Sequence, residues 1–143
     1  MRTIYWAAPL HDATDQARNE KYVKLLRTAG HSVYVPQEHG VWEDLVSKGA
    51  TREEVRAHLY KLDLNAMRNC DTCIACCGDL KSPRGPSEGM MWEMGWMKGN
   101  NKTVILFNED FYWDYNLMPQ FGADFYCKTF DEVLNILTSE EPK

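Results

Sequence analysis

Two carboxylates in this chain stand where a solvated acid is unusual. Glu93 lies within SEGMMWEMGW, residues 87–96, among Met90, Met91, Trp92, Met94 and Trp96. Asp63 lies in HLYKLDLNAMRN, one turn past Leu59 and toward the end of a helical pattern, where a negative charge opposes the helix dipole. Each has an ordinary reading as a solvent-facing helix residue, because an acid is rarely buried without a partner. Each also has a chemical one: two carboxylates on one rim, one bonding to carbon and the other moving a proton, can break a glycosidic bond. Of the other acids nearby, Glu88 precedes Glu93 by five residues, and Asp71 stands at the entrance to an apolar run that it can simply terminate. His39, in PQEHG, is either a polar turn residue or a ligand contact.

The cysteines offer a different chemistry. CDTCIACC sets Cys70, Cys73, Cys76 and Cys77 at spacings that a metal loop uses. The segment is equally an apolar run, no His cluster or second Cys pair accompanies it, and Cys127 is isolated. Free cysteine packs as a small hydrophobe, so these read as reduced core residues and no metal is expected.

The elements that must position these groups follow from periodicity. TIYWAA reads as a first strand, followed by the polar loop PLHDATDQ. QARNEKYVKLLRTAG is a helix with Tyr22, Leu25, Leu26 and Ala29 on one stripe, stopped by Gly30. HSVYVP is a second strand, with QEHGVW after it. Thr51, with Glu54 three residues later, predicts the capped start of a long helix running to Cys70 and burying Val55, Leu59, Leu62 and Met67. TCIACC is a third strand, GDLKSPRGPSEG a breaker-rich loop, MMWEMGWMKGNN a third helix and KTVILF a fourth strand. NEDFYWDYNLMPQFG reads as a long aromatic loop, DFYC as a short last strand and TFDEVLNILTS as the closing helix.

Strands alternating with helices predict an α/β fold: a doubly wound sheet of about five parallel strands, helices on both faces. Ligands of such sheets bind beyond the C-terminal strand ends, a rule that gathers the loops carrying or preceding the candidate residues on one rim. No glycine-rich dinucleotide fingerprint follows the first strand and no P-loop motif occurs, so those readings lose their support.

Composition sets the outer bounds. At 143 residues, with 44% hydrophobic and 26% charged side chains, the chain fits one domain over residues 1–143. A net charge of -5 with no Lys/Arg cluster excludes a groove for long nucleic acid and leaves a small molecule as the expected partner. The opening MRTIYWAAPL is too short an apolar run for a signal peptide, and no stretch approaches a membrane span, so a cytoplasmic protein without a membrane partner is expected.

Five segments in order resemble the nucleoside 2-deoxyribosyltransferase family: TIYWAAP, TDQARNEKY, LDLNAMRNCDTCIA, GMMWEMGWMKGNNKTVILF and YNLMPQFG. The resemblance implies Glu93 as catalytic nucleophile and Asp63 as its acid or base, with Tyr5 holding the Glu93 carboxylate. It implies that Gly89 lets the backbone approach the sugar and that Asn116 reaches the 5' side in a neighbouring subunit's site. A homo-oligomer with shared sites and no cofactor is therefore expected. The implied activity is transfer of 2-deoxyribose between nucleobases, from a deoxynucleoside or deoxynucleotide to a free base, with retention. Where transferases of the family commonly carry an Asp six residues before the nucleophile, this chain has Ser87. That serine and the EHG after the second strand resemble the branch that hydrolyses nucleoside 5'-monophosphates, since a hydroxyl donates to a phosphate that Asp would repel. Asp12 and Asp15 in the first loop argue the other way. A non-catalytic nucleotide-binding module is the third reading.

Overall fold

The computed structural model describes residues 1–39, 42–77, 87–109 and 116–141, with the backbone alone for 42–44. Five strands, β1 (Thr3–Ala7), β2 (Ser32–Tyr34), β3 (Thr72–Cys76), β4 (Thr103–Phe107) and β5 (Phe125–Cys127), form one sheet. Its order is β2-β1-β3-β4-β5, and every pairing is parallel. Helices α1 (Ala13–Thr28), α4 (Arg52–Asn69), α5 (Glu88–Gly99) and α7 (Phe130–Ser139) cover it. Three shorter helices, α2 (Pro36–His39), α3 (Trp42–Ser47) and α6 (Leu117–Gly122), lie in the connections. This is the doubly wound α/β arrangement that the alternation predicts. No helix among the described residues is long and apolar enough to cross a membrane.

The pleat divides the core in two. Ile4, Trp6, Ile74, Cys76, Ile105 and Phe107 point to one face, where they meet Tyr22, Val23 and Leu26 of α1 and Phe130, Val133 and Leu137 of α7. Tyr5, Ala7, Cys73, Ala75, Val104 and Leu106 point to the other, under Ala66 and Met67 of α4 and Met90, Met94 and Met97 of α5. Since each face is covered, the strands need no polar side, and β3 and β4 are buried throughout. The cysteines follow the same alternation: Cys70, Cys73 and Cys77 pack in the second core, Cys76 and Cys127 in the first, and all five are buried and reduced.

Helix ends are set by local chemistry. Thr51 and Glu54 form the expected capping box at the start of α4, and Thr129 and Glu132 form another at α7. Helix α1 starts at Ala13, three residues before the stretch that reads as helical, because the Asp12 side chain accepts the Asp15 amide at 2.9 Å. Its buried stripe is Asn19, Tyr22, Val23 and Leu26; Leu25, expected on that stripe, is 43% exposed. The true stripe follows i, i+3, i+4 and i+7 from Asn19, an amide that a hydrophobic count passes over.

Candidate functional site

The strand order changes direction between β1 and β3, and an open α/β sheet leaves its crevice at such a point. Tyr5 stands there, on the face covered by α4 and α5. Its hydroxyl donates to Glu93 Oε1 at 2.8 Å. Glu93 is set in place by α5, which begins at Ser87: the serine Oγ accepts the Met90 amide at 3.3 Å. From there Met90, Met94 and Met97 turn into the core, which fixes the rotation of the helix about its axis. Glu93, half-buried, is thereby directed at the strand tyrosine rather than at water.

Asp63 is held in the same manner one strand over. Tyr34, the last residue of β2, donates its hydroxyl to Asp63 Oδ1 at 2.9 Å. Tyr5 and Tyr34 are register partners, and their rings stack with centroids 5.6 Å apart and planes 14° from parallel. His39 lies flat against Tyr34 at 4.5 Å and 6°. A cleft of about 420 Å³ runs beside Tyr34 and His39, along α4, where Leu62 and Asn65 line it.

Electrostatics mark the same pair. Burial raises the Glu93 carboxyl, the Tyr5 hydrogen bond opposes this, and repulsion from Asp63 adds to the rise, leaving it at about 7. Asp63 is also raised, first by burial, against the lowering effects of the Tyr34 bond and the nearby His39. Burial, reinforced by the two carboxylates, pushes both tyrosines well above the usual phenol range. Both therefore remain donors at any physiological pH.

The structure thus brings Glu93, Asp63, Tyr5 and His39 into one constellation. Ser87 and Gly89 adjoin it through the first turn of α5. A Cβ on Gly89 would meet only Ser87 Oγ, at 3.7 Å, so nothing within the described chain demands glycine there. Asn116 stands apart as the exposed N-cap of α6, its side chain accepting the Met118 amide at 2.9 Å. Asp71 turns elsewhere: its carboxylate accepts from the Thr3 amide at 3.0 Å and from the Thr3 and Thr72 hydroxyls, each at 2.7 Å, where β3 begins. The breaker-rich stretch 78–86 and the aromatic residues 110–115, both expected on the rim, lie outside the described residues. Tyr34 was not among the sequence candidates. The signal for it is modest but real: TIY and SVY both end their third position on tyrosine, and neighbouring parallel strands in that register place the two rings side by side.

Comparison with known proteins agrees with the fold and names the family. A 2-deoxyribosyltransferase from the psychrotolerant bacterium Bacillus psychrosaccharolyticus superimposes with a TM-score of 0.74 at 23% identity, over 98% of each chain. The Clostridium botulinum CMP N-glycosidase superimposes with a TM-score of 0.59 at 20% identity, over 94% of this chain and 97% of that one. No curated protein sequence matches the chain. The family model for nucleoside 2-deoxyribosyltransferases matches residues 4–137, nearly the whole length, and the chain belongs to that family.

Proposed function

We propose that the protein transfers 2-deoxyribose between nucleobases through a covalent ester on Glu93, with retention at the anomeric carbon. The observation that carries this reading is the pair of carboxylates in one crevice, each bonded to its own tyrosine. Tyr5 occupies Glu93 Oε1 and leaves Oε2 to attack C1'. As that bond forms, the C1'–N bond breaks, its electron pair passes to the base, and the base takes a proton from Asp63. In the second half an incoming base gives its N–H proton to Asp63 and attacks C1', which restores the Glu93 carboxylate. The methionine-rich flank of α5 limits access of water, which would otherwise compete for the ester. Gly89 gives the sugar room beside the helix end, and His39 lies where a base or its substituents would reach.

Ser87 supports a second reading, hydrolysis of nucleoside 5'-monophosphates. A hydroxyl that accepts from Met90 can also donate to a phosphate oxygen at the start of α5, where the helix dipole favours negative charge. Asn116 belongs to either reading through a second copy of the chain. Its helix α6 presents Leu117, Met118 and Phe121 at 64%, 71% and 81% exposure, an apolar surface suited to a subunit contact. Incubation with a deoxynucleoside, with and without a free base, separates the possibilities. Exchanged nucleoside in the presence of acceptor supports transfer; free sugar or sugar phosphate, with 5'-monophosphates preferred, supports hydrolysis. Binding without either product would overturn both and leave a nucleotide-binding module.

A further inference from the structure

Tyr34 sits on a short edge strand, yet its position is closely determined. Register places it opposite Tyr5, the Tyr5 and His39 rings both lie against it, and its hydroxyl meets Asp63. Phenylalanine would make the same stacks. The hydroxyl contributes the bond to Asp63, an acid whose charge burial disfavours. Around that acid, the groups that carry or share protons come from four elements: Tyr34 of β2, His39 of α2, Tyr5 of β1 and Glu93 of α5.

We infer that Tyr34 is the positioning residue for Asp63: it pins Oδ1, leaves Oδ2 as the atom that exchanges a proton with the nucleobase, and stabilises the charge left when that proton departs. The inference rests on the glycosidic reading of the site. The Tyr34 bond strengthens as Asp63 becomes an anion, so it favours the transition state over the resting acid. Bases that cannot leave without a proton depend on it. A leaving group that departs as a stable anion does not.

The test is Tyr34→Phe, which keeps both ring stacks, read in two ways. First, the Asp63 carboxyl is titrated by carbon-detected NMR, assigned by comparison with Asp63→Asn. Its midpoint should rise by about one pH unit, in keeping with loss of one hydrogen bond to a charged group. Incorporation of 3-fluorotyrosine at position 34, a stronger donor, should move it down. Second, kcat for an ordinary 2'-deoxynucleoside should fall about 10–100-fold, whereas a substrate with an activated leaving group should lose less than about threefold, both with little change in KM. An unmoved midpoint, or equal losses on both substrates, would overturn the role given to Tyr34. A wild-type protein that cleaves no N-glycosidic bond would instead reject the reading of the site, while the titrations still decide whether Tyr34 governs Asp63.

Discussion

Glu93 has two competing demands on its charge. As a nucleophile it must be ionised, yet burial favours its neutral form and Asp63 repels the anion, so the carboxyl is pushed up to about 7. In the unfolded chain it titrates near 4.5, so between these values the folded state holds the extra proton. The stability linked to that proton is fully present below the lower value and is lost as pH rises through the higher one. Glu93→Gln, which still accepts from Tyr5, should therefore be more stable than the parent at pH 8. The gain should be roughly 1–3 kcal/mol after discounting for solvent screening, and should vanish toward pH 4.5 in thermal melts. Because Glu93 must be ionised while Asp63 still carries the proton it gives to the base, kcat/KM should be bell-shaped, with limbs that belong to the coupled pair and one of them near 7. Tyr5→Phe removes the donor that favours the anion, so the limb near 7 should move to higher pH while activity at the optimum falls. An unmoved limb would separate Tyr5 from Glu93.

At the scale of elements, α5 carries the proposed nucleophile and Ser87 starts α5. Serine and aspartate cap helices about equally well, so Ser87→Asp should change stability by less than about 0.5 kcal/mol, whereas Ser87→Ala should cost about 1 kcal/mol. If Ser87 also meets a substrate phosphate, Ser87→Asp should weaken 5'-monophosphates selectively and leave nucleosides unaffected, which parallel steady-state assays would detect. The cap itself shows what can be read from residues alone. The Thr51–Glu54 box, the apolar runs of β3 and β4 and the order of the long elements all follow local rules that tertiary packing reinforces. Helices α2, α3 and α6 do not, having four, six and six residues, too few turns for a period to emerge; α2 and α6 fall largely in stretches that read as loop, and most of α3 in a stretch given no element. Of the site, Glu93, Asp63 and Tyr5 were legible through the family's motifs. The Tyr34–Asp63 bond spans 29 residues and arises only when β2 pairs with β1 beneath α4, a relation no local window contains.

For the whole molecule, the parallel sheet places the crevice, and the proposal has a second copy complete the site. The apolar face of α6 predicts a homo-oligomer; Phe121→Asp should shift sedimentation toward monomer and reduce turnover together. Full activity in a monomer would remove Asn116 from the site. The central claim is that this assembly passes a sugar through Glu93, and it is tested most directly on the protein itself. Enzyme quenched during turnover of a 2'-deoxynucleoside should, by intact-mass and peptide mass spectrometry, carry a deoxyribosyl group on the peptide containing Glu93, absent in Glu93→Ala. A product of inverted anomeric configuration with no adduct, or undiminished turnover in Glu93→Ala, would contradict it.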